Sequence, residues 1–458
     1  MNPPNYFLAD LPPEAVLSPA MLAEACQTLK RNRECYLLSR STESLIKVLS
    51  DVADGWLGSE NKFRKLALEL GPARAGFSRE TLARGLDNFF KQITRENIHA
   101  LLVQEFGDAK RLDAMTMTAA EQKQNRLAMV NTPEFQVHIA AGNIPNPALT
   151  SIVFGLLTRS AQFVKCASGA SFLPRLFAHS IYEADGKLGA CLEIAEWRGG
   201  NLALENALFA EADCVTATGS DETLDELRKR VPLRTRFLGH GHRVSFGFVA
   251  GEVLYGSRGK KIVASAADDV VAWNQLGCLS PHVIYVQPGG EIAPEHFAQL
   301  LAEELERREA SEPRGELPAE HAAAIALRRN IYEVRAAHLP ETTQHWCSKD
   351  STAWTVIYEA DARFQLSCLN RFIYVKGVAD LKTVLESADS VRGKVSTVGI
   401  AAPEEKTNEI ATQLARWGAT RICPLGQMQN PPLTWRHDGR PPLGDLVTWT
   451  DFETGDGR

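Results

Sequence analysis

The chain reads as an α/β protein: two α/β domains with a cleft between them, preceded by a helical N-terminal region. Three observations predict this. From residue 134 onward, short apolar runs alternate with amphipathic stretches, the pattern of a parallel sheet covered on both faces. After residue 243 the same alternation starts again. Before residue 130 the apolar residues recur almost entirely at helical spacing.

In order along the chain, AMLAEACQTLKRN, STESLIKVLSDVADGWL, SENKFRKLALELG and RETLARGLDNFFKQI are predicted helices. FQVHIAA is then a strand. It is followed by Gly142-Asn143-Ile144-Pro145-Asn146-Pro147 and a helix, ALTSIVFGLLTRS, with Asn146 as expected N-cap and Pro147 as first residue. AQFVKCA, CLEIAEW and DCVTATGS are strands, separated by helices near residues 173–183 and in NLALENALF. In the second half, RVSFGFVA, PHVIYVQ, STAWTVIYEA, RFIYVKGV, VSTVGIAAP and TRICPLG are strands. KIVASAADDVVAWNQLG, PEHFAQLLAEELERRE, AEHAAAIALRRNIYEVRAA, ADLKTVLESA and KTNEIATQLARWG are helices, the last ending at Gly418 as a C′ residue. The Pro- and Gly-rich end, QNPPLTWRHDGRPPLGDLVTW, is expected to wrap or pack on the rest. The resulting division is a helical region 1–94, a first α/β domain 95–240, a second 241–430 and a C-terminal tail 431–458.

A chain of 458 residues with net charge −6 and no long run of like charge is not built for nucleic acid. Its start lacks a signal-peptide pattern and its apolar helices are too short to span a bilayer, so a cytoplasmic location is expected. Nine cysteines, an odd number with no C-x-x-C spacing, point away from a disulfide framework and from zinc; no metal is expected.

Four places carry candidate chemistry. Cys278 lies on a turn between a helix and a strand, beside Gly277, where a thiolate could attack a thioester; a buried structural cysteine is the plain alternative. Asn143, between strand and helix, could donate to an oxyanion together with the Cys278 N–H, or simply shape a turn. Lys165 ends one strand, and Thr218, Gly219 and Ser220 end another before a helix, the place where open α/β sheets bind ligands; Ser220 is equally explained as an N-cap. His240 and His242 could act as acid and base or bind a metal, but no third ligand stands at metal spacing, and a structural role is the default.

Taken together, Gly-Asn-x-Pro, the strand-end lysine, Thr-Gly-Ser and Asn-Gln-x-x-Cys resemble the aldehyde dehydrogenase superfamily, and within it the LuxC-type acyl-CoA reductases. HIAAGNIPNPALTSIVFGLLTRSAQFVKCAS, SAADDVVAWNQLGCLSPHVIYV, LNRFIYVKGVADL and WRHDGRPPLGDLVTW carry the resemblance, from about residue 95 to the end. It implies an aldehyde-dehydrogenase-like fold, an NAD(P)-binding domain over 95–240, and a catalytic domain after it. It also implies Cys278 as nucleophile, Asn143 as oxyanion donor, Lys165 near the adenosine ribose, and Thr218, Gly219 and Ser220 near the pyrophosphate.

Two departures matter. The glutamate that activates water in oxidising members is missing from Phe237-Leu238-Gly239-His240-Gly241-His242, and the E-x-F-G-P motif is absent. The implied reaction is reduction of a fatty-acyl thioester to the aldehyde, with an acyl-CoA or carrier-bound acyl group as substrate. An acyl-transfer partner protein and a homo-oligomer are compatible with it. An acid-forming aldehyde dehydrogenase and a catalytically silent scaffold are the rivals. NADPH is expected over NADH. In NAD-specific relatives a glutamate stands three residues after the lysine, and here Ser168 stands there instead.

Overall fold

The structure is a computed structural model and describes residues 4–12 and 14–455. Among the described residues, fourteen strands form three sheets. They are β1 (Arg126–Asn131), β2 (Phe135–Ile139), β3 (Ala161–Cys166), β4 (Leu192–Glu196), β5 (Cys214–Thr218) and β6 (Arg236–His240), then β7 (Val244–Val249), β8 (Pro281–Val286), β9 (Thr343–Cys347), β10 (Thr355–Glu359), β11 (Phe372–Gly377), β12 (Val395–Ala401), β13 (Arg421–Pro424) and β14 (Thr448–Glu453).

The first large sheet is fully parallel, in the order β4-β3-β2-β5-β6. The strand order reverses between β2 and β5, which opens a crevice at their carboxyl ends. The second sheet runs β13-β12-β7-β8-β11-β10-β9, parallel except for the edge strand β9. Burial explains the runs seen in sequence: every residue of β3, β7 and β8 is buried, so these strands are mostly apolar rather than alternating, with Gln162, Lys165, Ser245 and His282 as buried polar exceptions.

The helix after β2 spans Asn146–Leu157, one residue earlier than expected. Pro145 is its N-cap, already near helical geometry at φ −79°, and Asn146 makes no cap bond. Pro147 therefore takes the second helical position, where its missing N–H is still harmless.

Four strands were not read in the sequence, β1 among them, since the region before residue 130 reads mainly as helices. β6 coincides with the Phe237–His240 segment, whose glycine and histidine obscure a strand pattern. β9 is short and polar. The last strand, β14, pairs antiparallel with β1, so the C-terminal segment crosses back to the start of the first α/β region.

The helices between Thr42 and Phe106 share one apolar core with the helices Asn146–Leu157 and Phe172–Ala184, while the helix Pro19–Asn32 packs in a separate cluster with β2 and β3. Gly85, in the helix Arg79–Phe90, lies directly against Trp273: a Cβ there would stand 2.1 Å from the ring. The helical region thus reaches the turn that carries Cys278.

Candidate active site

Cys278 follows a run of three left-handed residues, Trp273 (φ 50°), Asn274 (φ 51°) and Gln275 (φ 64°). Such conformations cost about 1–2 kcal/mol each for non-glycine residues, so neighbouring structure must hold them. Trp273 is buried edge-on against Phe77. Asn274 donates to the Arg314 carbonyl at 2.8 Å and accepts from Nε of Arg371 at 3.1 Å. Gln275 donates to the carbonyls of Pro281 (2.7 Å) and Phe372 (2.9 Å). Arg371 itself ends a second left-handed run, Leu369, Asn370 and Arg371, so the two turns brace each other. Gly277 is required by crowding: a Cβ there would meet the Gln429 amide at 2.9 Å.

The turn delivers a half-buried Cys278 to the floor of a cavity of about 220 Å³. Burial, reinforced by the negative charge of Asp438, pushes its thiol up to about 12, against the opposing pull of its own backbone N–H and of Arg243. At neutral pH the resting group is a thiol. The other cysteines whose thiols burial raises to about 12 (Cys26, Cys166, Cys191, Cys214 and Cys423) do not open on this cavity.

Asn143 reaches the same turn from the other sheet. Its Nδ2 donates to the Leu276 carbonyl at 2.8 Å, two residues before Cys278. That bond uses one of the two amide hydrogens and leaves the second to donate. Ile144 lines the cavity of Cys278 and also a smaller one of about 80 Å³, bordered by Gly142, Asn143, Gly169 and Ala170 at the ends of β2 and β3.

The cofactor-side residues are less neatly placed. Thr218 opens on the Cys278 cavity. Gly219 donates its N–H to the His240 carbonyl at 3.2 Å, and Ser220 caps the following helix by accepting from Thr223 N at 3.2 Å. That helix starts with Asp221 and Glu222, two carboxylates already at its positive end. Lys165 is buried over the Trp197 ring at 5.6 Å, and burial lowers its pKa. The Ser168 loop contains a group that spacing alone does not reveal. The Glu196 carboxylate, from the end of β4, accepts from Gly169 N (2.7 Å) and Ser171 N (3.1 Å). A carboxylate from another strand thus lies against the backbone of the Ser168 loop.

Two further parts of the cavity were missed in the sequence. One is the end of the helix Arg79–Phe90 and the residues after it, including Phe89 and Ile93. The other is the Pro-rich C-terminal segment, which brings His437 to the wall beside His240. The WRHDGRPPLGD stretch was a signal for the second; nothing in the helical spacing of the first separates a cavity wall from core.

The LuxC acyl-CoA reductase family model matches residues 37–449. The chain belongs to this family. Among its relatives is a long-chain acyl-protein thioester reductase from Aliivibrio fischeri, 26% identical over 328 residues. The match covers 69% of this chain and 63% of that protein, so it spans somewhat less than two thirds of the relative. Solved structures confirm the aldehyde-dehydrogenase-like fold. Betaine aldehyde dehydrogenase from Staphylococcus aureus superposes with a TM-score of 0.68 at 14% identity, covering 96% of this chain and 89% of that one. A glyceraldehyde-3-phosphate dehydrogenase from Methanocaldococcus jannaschii, complexed with NADP, gives 0.66 at 13% identity, covering 96% and 95%.

Proposed function

We propose that the protein reduces a long-chain acyl thioester to the aldehyde through an acyl group held on Cys278. The observation that carries this is the bond from the Asn143 amide to the Leu276 carbonyl, which ties a side-chain donor to the turn that bears the Cys278 thiol. Apolar side chains such as Phe89, Ile93, Phe154 and Leu433 line the Cys278 cavity, as an acyl chain needs. The Cys278 thiol displaces the carrier thiol, and the Asn143 amide with the Cys278 N–H stabilises the oxyanion of each tetrahedral species. The carrier is CoA or an acylated protein; the relative's name supports the second.

The crevice between β2 and β5 suits a dinucleotide by topology. Lys165, Ser168, Thr218, Gly219 and Ser220 are the residues we assign to it, with Glu196 added. When bound, a reduced nicotinamide supplies the hydride. NADPH is favoured by Lys165 and Ser168 and opposed by the Glu196 carboxylate, so the cofactor ratio is a direct test of which group faces the ribose. Incubation with a long-chain acyl-CoA, or the same acyl group on a carrier protein, should oxidise the reduced cofactor and release aldehyde. Release of fatty acid with no aldehyde would overturn the reading in favour of a hydrolase or an acid-forming enzyme.

A further inference from the structure

His240 ends β6 and opens on the cavity that holds Cys278. Its Nδ1 lies 3.2 Å from Oδ2 of Asp438. Its ring stacks on His437 at 4.3 Å between centroids and 5° between planes, and His437 in turn packs on Trp435 at 4.6 Å. Asp438 is turned toward His240 by a left-handed backbone (φ 55°) followed by Gly439 (φ 76°). Arg243 Nε stands 3.3 Å from its other oxygen. That guanidinium repels a metal cation, which leaves the group suited to carrying a proton.

We propose that His240, oriented by Asp438, is the proton carrier for thioester exchange at Cys278. This rests on the acyl-enzyme reading above. An ionised carboxylate can only accept, so Nδ1 of His240 carries the ring proton and Nε2 is the basic nitrogen. As the Cys278 sulfur bonds to the acyl carbon, its S–H bond breaks and the proton passes to Nε2. The bond from the acyl carbon to the carrier sulfur then breaks, the electron pair leaves on that sulfur, and Nε2 returns the proton to it. Thiol and thioester are consumed and formed in equal number, with no oxidant or reductant.

The charge environment supports these states. Burial pushes the Asp438 carboxyl up, but the His240 hydrogen bond and the positive charges around it outweigh this and hold it near about 2. Burial, with the charge of His240 next, lowers His437 to about 4, so it stacks as a neutral ring. A thiol raised to about 12 makes little thiolate unaided at neutral pH, and so has need of a base. Asp438 is a positioning residue in this scheme, and Asn143 keeps the oxyanion role.

The test is the rate of CoA release and of acyl-Cys278 formation from dodecanoyl-CoA, without reduced cofactor, by rapid quench and mass spectrometry. His240→Gln should slow acylation about 10²-fold or more while the adduct still forms on Cys278. Added imidazole should restore part of the rate to His240→Ala. In the wild type the rate should fall on the acid side; the other charged or titratable groups at this cavity and around Asp438 are His437, Arg243, Arg440, Asp445 and His138. In His240→Gln that limb should vanish and the rate should climb with pH throughout. Should His240→Gln not fold, the near-isosteric Asp438→Asn carries the test, because its amide can donate to Nδ1 and favours the wrong tautomer; slower acylation with a changed pH profile is expected. Acylation by either folded variant at the wild-type rate, with the wild-type profile, overturns the proposal. A wild-type protein that gains no acyl mass overturns the acyl-enzyme reading, and the proton carrier with it.

Discussion

The turn before Cys278 and the loop around Ser168 border two cavities that meet at Ile144, and they are specified differently. The first is held by contacts with several segments: its Asn274 and Gln275 amides donate to the carbonyls of Arg314, Pro281 and Phe372, and the Phe77 and Arg371 side chains pack on or donate to it. The second is held at its backbone by one carboxylate, Glu196. On the proposed function, the difference separates two tasks. A nucleophile must be fixed relative to an oxyanion donor on another sheet, and misplacement by about 1 Å is costly in rate. A loop that selects a cofactor needs only the right charge at the right place, and a single substitution can change it.

The largest effect should come from the nucleophile itself. Cys278→Ala should abolish both acylation and reduction, read as loss of aldehyde and of the acyl mass. Activity at a tenth of wild type or more would move the chemistry elsewhere. Asn143→Ala should lower kcat about 10²–10³-fold with little change in KM, if its amide serves the oxyanion. A parallel rise in KM would indicate that its bond to Leu276 only shapes the substrate site.

Gly85→Ala tests the bracing of the turn from the N-terminal side. The added methyl cannot fit beside Trp273 without displacing the ring, so a loss of about 1–3 kcal/mol and a lower Tm are expected, with slower acylation. An unchanged Tm would show that Trp273 moves freely and that the turn is less fixed than its contacts imply.

On the other loop, Glu196→Gln should raise NADPH efficiency relative to NADH, and Ser168→Glu should lower it, each by about 1 kcal/mol or roughly fivefold. If neither changes the ratio, this loop does not face the ribose.

The smallest effect concerns stability. Burial lowers His138, His282 and His437 to about 4, each with further influences. The folded chain binds these protons more weakly than the unfolded chain, so unfolding takes up protons. Stability should therefore fall as pH drops from about 6.5 toward 4. His138→Asn should flatten the Tm profile over that window; an unchanged slope would assign the acid sensitivity to other groups.

The same contrast explains what the sequence could show. The parallel strands were legible because β3, β7 and β8 are buried along their whole length and so read as mostly apolar runs. The boundary of the helix Asn146–Leu157 was missed by one residue because two prolines compete for its start. Cys278 and Asn143 stood out through a glycine-flanked turn and a strand–helix junction, but their meeting through Leu276 depends on tertiary folding. Glu196 beside Ser168, and Asp438 beside His240, are pairs that are distant in sequence. No local pattern joins residues 28 or 198 positions apart (196 − 168; 438 − 240). His437 and Asp438 lay in a segment expected only to wrap the rest, although its Trp-Arg-His-Asp-Gly string supplied the residues.

The account stands most directly on where the acyl group goes. The protein is mixed with an acyl-CoA in the absence of reduced cofactor, digested, and the thioester mapped by mass spectrometry. The expected result is one acyl group on Cys278, removed when reduced cofactor is added and recovered as aldehyde. An adduct on another cysteine with Cys278 unmodified, or aldehyde formed with no acyl-protein at any time, would contradict it.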